Sequence, residues 1–159
     1  MTRIKILDCT LRDGGYVNKW SFGKNNILKI NQYLVGSGVD IIECGFLSNK
    51  KEYDPDCSVF DSIERFSNVI PSDKRTSLFV CMMNFGDFDP KAIPPFDNSS
   101  VDGIRVAFHK KDKEAALEVC KEISEKGYKL FVQPMVTLNY SDEELLDLII
   151  KTNNLDSYA

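Results

Sequence analysis

Residues 8–16 read Asp8-Cys9-Thr10-Leu11-Arg12-Asp13-Gly14-Gly15-Tyr16 and directly follow a short apolar run. Asp13-Gly14-Gly15 is a turn signal, and taken alone it fits a hairpin or loop carrying a solvated Arg12–Asp13 pair. Other polar residues stand where polar residues need a reason. Glu43 interrupts the apolar run Ile41 to Phe46. A charged carboxylate there requires a cation or hydrogen-bond donors, and Arg105 is one candidate partner. His109 is the single histidine, and it is either a base or substrate-orienting group or simply a hydrogen-bonded residue. Thr137 closes another run and can donate its hydroxyl to a substrate carboxylate or be an ordinary strand residue. Asn84 holds the same place after a third run. With one histidine, a metal site in this chain would rest mostly on carboxylates, and a Ser-His-Asp triad would have one possible base. The 5 cysteines include no CxxC pair, which removes a zinc ribbon, and their odd number and apolar settings predict buried thiols rather than a disulfide framework.

The elements that position these residues follow from periodicity. Apolar runs at 4–7, 40–46, 77–83, 103–108 and 129–136 read as strands. Helical patterns fall at 22–35, 61–69, 113–126 and 141–151, the last opened by a Ser141/Glu144 capping box. Three prolines in 87–100 predict a short or irregular helix there. Strand–helix alternation implies parallel strands joined by crossovers. The mean repeat is about 31 residues, so eight repeats make roughly 250, the size of a (β/α)8 barrel. A five-stranded flavodoxin-like sheet is the rival, since it would use this length completely. Strand parity favours the barrel. One face (Ile42, Cys44, Phe46; Ile104, Val106, Phe108; Leu130, Val132, Pro134, Val136) is apolar, whereas the other carries Glu43, Arg105, His109, Gln133 and Thr137. A doubly wound sheet covers both faces with helices and tolerates this poorly; a barrel interior leading to an active site accommodates it.

Composition narrows the function classes. The chain has 159 residues, 43% hydrophobic and 28% charged, with 20 Lys+Arg against 24 Asp+Glu. Such a chain can bury a core and is too apolar for disorder. Its acidic balance argues against a nucleic-acid partner, and no apolar run approaches the roughly 20 residues of a membrane span. Without a signal-peptide core at the N-terminus, a soluble cytoplasmic protein is expected.

The string LDCTLRDGG resembles the signature of the DRE-TIM metallolyases, the superfamily of hydroxymethylglutaryl-CoA lyase, isopropylmalate and homocitrate synthases, and 4-hydroxy-2-oxovalerate aldolase. IIECGF, IRVAFH and PMVT on later strands extend the resemblance over essentially the whole chain, which looks most similar to the aldolase catalytic domain. The resemblance implies a TIM-barrel α/β fold, truncated here to about five βα units, with residues 1–159 as its N-terminal portion. It also implies a divalent cation, Mn²⁺ or Mg²⁺, with Asp13 as its carboxylate ligand. Arg12 would stabilise an enolate oxygen, for which a fixed charge and planar donor fork are suited. Glu43 would order Arg12 or the metal's water shell, and Asp8 would hold the arginine in place.

Two departures qualify this. Tyr16 stands where the aldolase branch carries its histidine base, and tyrosine's usual pKa near 10 makes it a poor base at neutral pH. The seventh-strand HxH pair that completes the family's metal site is absent, so the cation site is expected to be incomplete. The implied activity is metal-dependent cleavage of a 4-hydroxy-2-oxo acid to pyruvate and an aldehyde. The alternatives are a condensing acyltransferase of the isopropylmalate-synthase type, or an inactive half-barrel. The expected partner is a small 2-oxo acid, and an open barrel edge after the fifth strand predicts a homo-oligomer or a cover from the last helix.

Overall fold

The computed structural model describes residues 4–159. In chain order the elements are β1 (Leu7–Asp8), α1 (Thr10–Asp13), α2 (Gly15–Asn18), α3 (Lys24–Gly36), β2 (Ile41–Leu47), β3 (Val59–Phe60), β4 (Leu78–Asn84), β5 (Gly103–Phe108), α4 (Lys113–Glu125), β6 (Lys129–Pro134) and α5 (Asp142–Asn153). Every strand pairing is parallel. The sheet runs β1-β2-β4-β5-β6, with β3 attached to β2 off this path. Strands laid down in sequence order, without the reversal that a flavodoxin-like sheet needs, form a curled half-barrel.

The helices follow the sequence pattern closely. α3 buries Ile27, Asn31 and Val35, one residue per turn. α4 buries Ala116, Leu117, Cys120 and Ile123. Ser141 and Glu144 form the expected capping box at the start of α5, and i, i+3, i+4 spacing explains which faces turn inward. Three expectations need correction. The helix expected at 61–69 is a 3₁₀ turn, Glu64–Asn68: β3 takes up part of the connection, Phe66 stacks on Phe60 with centroids 4.1 Å apart, and Pro71 ends it. Of the first strand only Leu7 and Asp8 pair with β2, and Ile4 and Ile6 are exposed at this outer edge. The last strand stops at Pro134, because Val136 adopts a left-handed backbone (φ 54°) that turns Thr137–Asn139 into a 3₁₀ segment.

The sheet's two faces separate as parity requires, with one exception. Ile42, Cys44, Phe79, Cys81, Met83, Ile104, Val106, Phe108 and Leu130 join the main core beneath the helices. On the concave face, Ile41, Val80 and Phe131 form a floor with Leu7, Leu78 and Tyr158. Phe46, Met82 and Ala107 form an upper layer with Trp20, Val59 and Met135. Phe46 thus lies on the concave face, opposite to its predicted side, because the β2–β4 register shifts between Glu43 and Phe46. Gly45 makes that bulge possible. Its φ is +148°, and a β-carbon there would sit 2.3 Å from the Ser58 carbonyl oxygen. At the far edge, Tyr158 and Ala159 lie on β6: the Tyr158 amide donates to Leu130 O (2.7 Å) and the Val132 amide to Ala159 O (2.8 Å). It is this terminal strand-like segment, rather than the last helix, that touches the β6 edge. None of the helices among the described residues is long and apolar enough to cross a membrane.

Candidate functional site

Between the apolar floor and the upper layer, the concave face holds a chain of charges. Glu43 is fully buried, and each of its oxygens accepts from a different arginine. Arg12 Nε donates to Oε2 at 2.7 Å and Arg105 Nη1 to Oε1 at 2.7 Å. Arg105 Nη2 continues to Gln133 Oε1 (2.8 Å), and Arg12 Nη1 to Asp13 Oδ1 (2.8 Å). The two partners considered for Glu43 from sequence are therefore both present, in one network joining the β1–α1 segment to β2, β5 and β6. Arg12 Nη2 has no partner among the described residues, so a donor edge stays available to a ligand. Burial alone lowers the Arg12 pKa, but the hydrogen bond and charge of Glu43, with Asp13, outweigh it and raise it further. The guanidinium is a permanent cation.

The backbone carrying Arg12 is tightly fixed. Leu11 is buried in the main core and its carbonyl accepts from Ser58 Oγ (2.6 Å). Asp8 accepts from the Thr10 amide (3.0 Å) and hydroxyl (2.9 Å). It therefore braces the start of α1, two residues before Arg12, and makes no hydrogen bond to Arg12 among the described residues. The Gly14-Gly15 pair is not a hairpin turn: Gly14 is helical, φ −60°. Gly15 is needed for space, because a β-carbon there would fall 2.0 Å from the Trp20 ring. That close seat lets the Trp20 indole N–H reach the Arg12 carbonyl at 2.8 Å.

Trp20, Tyr16 and Phe46 then pack edge to face, with centroids 4.9 Å (Tyr16–Trp20), 5.6 Å (Trp20–Phe46) and 6.4 Å (Tyr16–Phe46) apart. The Arg12 guanidinium lies over the Phe46 ring at 6.0 Å. Two cavities open on this cluster. One, about 200 Å³, is lined by Tyr16, Trp20, Phe46 and Val59 together with Lys50, Lys51, Asp87, Ser48 and Asn84. The other, about 350 Å³, brings Tyr16, Asn84 and His109 together with Asp87, Asp112 and Met135.

The residues singled out from sequence divide accordingly. Arg12, Asp13 and Glu43 are joined directly; Tyr16, Asn84 and His109 share a cavity. Asn84 Nδ2 donates to Asp87 Oδ2 (3.0 Å), and Asp87 also pairs with Lys50. Thr137 is exposed in its 3₁₀ turn and lines neither cavity. Sequence reasoning missed Trp20 and Asp87. Only Trp20 left a signal, as the single tryptophan placed eight positions after Arg12. For a divalent cation, Asp13 offers one exposed carboxylate already tied to Arg12. Among the described residues no group of three His, Cys, Asp or Glu side chains could hold a metal ion. By themselves the donors among the described residues do not make a cation site.

Searches against family models and curated proteins give no match. Among solved structures the fold is similar to "the N-terminal domain of a putative aldolase from Bacteroides vulgatus", at 19% identity and a TM-score of 0.57. The likeness covers 95% of this chain and 60% of that one, so this chain spans less than two thirds of its neighbour's length. At that identity the match speaks for the fold alone.

Proposed function

We propose that this half-barrel is part of a carbon–carbon lyase of the aldolase type, acting on a 4-hydroxy-2-oxo acid, in which Arg12 holds the enolate that cleavage produces. The observation that carries the reading is the Arg12 guanidinium. It is held through Nε by a fully buried carboxylate, and its Nη2 has no hydrogen-bond partner among the described residues. Such a donor is preorganised for charge that develops on a carbonyl oxygen, which is where electrostatic catalysis is strongest. The fold likeness to an aldolase domain and the LRDGG resemblance support the same assignment.

In this reading Arg12 Nη2 donates to the 2-oxo oxygen. The 4-hydroxyl proton passes to His109, whose imidazole borders the cavity shared with Tyr16 and Asn84. The C3–C4 bond breaks, its electron pair goes to C3 and the C2 oxygen, and an aldehyde forms at C4. Protonation of C3 then gives pyruvate. Glu43 keeps Arg12 aimed, and Arg105 with Gln133 keeps Glu43 aimed, so these three act as positioning residues. Asp13 alone does not bind a cation in this scheme, and no step depends on one.

The test is release of pyruvate from 4-hydroxy-2-oxo acids, assayed with and without added Mn²⁺. Arg12→Lys keeps the charge but loses the fork, and should reduce turnover by about 100-fold or more, the loss typical of an oxyanion donor. No pyruvate from the complete enzyme of which this half-barrel is proposed to be part, or pyruvate release indifferent to Arg12→Lys, would overturn the assignment.

A further inference from the structure

We propose that the smaller cavity is a specificity slot for a ring-sized apolar group carried on C4 of the substrate, and hence on the aldehyde product. This rests on the Arg12 reading above and extends it to the substrate's other half. Phe46 is the shared element: Arg12 lies over its face, and its edge helps wall the slot with Tyr16, Trp20 and Val59. A 2-oxo acid gripped at its oxo end by Arg12 places C4 about 4 Å from its carboxylate carbon, at ~1.5 Å per bond. That is within reach of a wall 6.0 Å from the guanidinium carbon.

Size and chemistry both fit a ring. The slot holds about 200 Å³, and a cavity of roughly 150 Å³ with apolar walls suffices for benzene. Three aromatic side chains meet edge to face around it, a geometry that can take a further ring. The charged groups of the lining are already engaged: Lys50 pairs with Asp87, and Lys51 sits over the Trp20 ring at 5.3 Å. Among the described residues Lys51 is the one charge of the lining without an ion pair, and it is held against an aromatic face.

Trp20, the only tryptophan, supplies a direct optical probe of the slot. Binding of 4-phenyl-2-oxobutanoate and 2-oxobutanoate is measured by calorimetry, and benzyl alcohol is titrated against Trp20 fluorescence. The phenyl compound should bind at least tenfold tighter than 2-oxobutanoate, benzyl alcohol should perturb the emission, and Val59→Phe should remove both effects. Should Val59→Phe fail to fold, Tyr16→Ala, which removes one partly exposed ring from the slot wall, should weaken both effects. Equal binding of the two acids would overturn the slot while leaving Arg12's role intact. Benzyl alcohol binding with neither acid bound would overturn the Arg12 reading, and with it the assignment of the slot to an aldehyde.

Discussion

Replacing Glu43 with glutamine keeps its shape and removes one charge at the centre of the site. The side chain is fully buried, and its two oxygens hold Arg12 and Arg105, each at 2.7 Å. In Glu43→Gln two guanidinium groups face a neutral amide across the same short distances. Removing one partner from a buried ion pair typically destabilises by about 3–5 kcal/mol, because the remaining charge is left uncompensated. Here the arginine side chains retain 17% and 12% exposure, so water relieves part of the loss and about 3 kcal/mol is expected. In a domain of this size each kcal/mol shifts Tm by about 2–4 °C, giving a fall of roughly 6–12 °C. Urea unfolding followed by circular dichroism and by Trp20 fluorescence measures it. Arg105→Gln made in the Glu43→Gln background should be far milder than in the unmodified protein, with a coupling of at least about 1 kcal/mol. A loss below about 1 kcal/mol for Glu43→Gln, or strict additivity in the double variant, would refute the claim that this carboxylate organises both arginines.

Gly15→Ala places a β-carbon against the Trp20 ring and should destabilise by about 1–3 kcal/mol, as overpacking does, with Trp20 emission shifting to the red; an unchanged spectrum and stability would contradict the close-seat explanation. Burial raises the thiol pKa of Cys44 and Cys81 and pushes Cys120 up to about 12. The folded state therefore keeps protons that the unfolded chain releases above about pH 9. Each such thiol removes up to about 1.4 kcal/mol of stability per pH unit in that window. Urea midpoints should be level below pH 8 and fall steeply from pH 9 to 10.5, and level midpoints throughout would count against buried native thiols.

Much of this was legible in the residues because it depends on local periodicity. The stripe on α4, the Ser141/Glu144 box and the limits of β5 follow from spacing alone. So does the concave placement of Glu43, Arg105 and Gln133, which needs only the two-residue alternation of a strand. What escaped depends on contacts between distant segments. Phe46 changes face because Gly45 bulges to admit the Ser58 carbonyl, and no alternation rule reveals a bulge whose cause lies thirteen positions downstream. Thr137 reads as a strand end until Val136 turns left-handed. The Gly14-Gly15 pair reads as a turn for its torsional freedom, whereas the structure uses Gly15 for the space it leaves to Trp20.

That bulge ties the two halves of the candidate site together. Had β2 kept regular alternation, Phe46 would point beneath the helices with Cys44, and Arg12 would have no aromatic wall beside it. The shift carries Phe46 to the concave face, directly above the layer where Glu43 fixes Arg12. One irregularity in one strand thus sets an apolar wall next to a preorganised cation. A carboxylate or enolate oxygen can be bound by the cation while the rest of the molecule is removed from water against the wall. Burial on the apolar side also lowers the local dielectric and strengthens the charge–charge interaction on the polar side. Gly45→Ala is the substitution that should disturb both halves at once, since its β-carbon would meet the Ser58 carbonyl at 2.3 Å and force β3, Phe46 and the slot to move together.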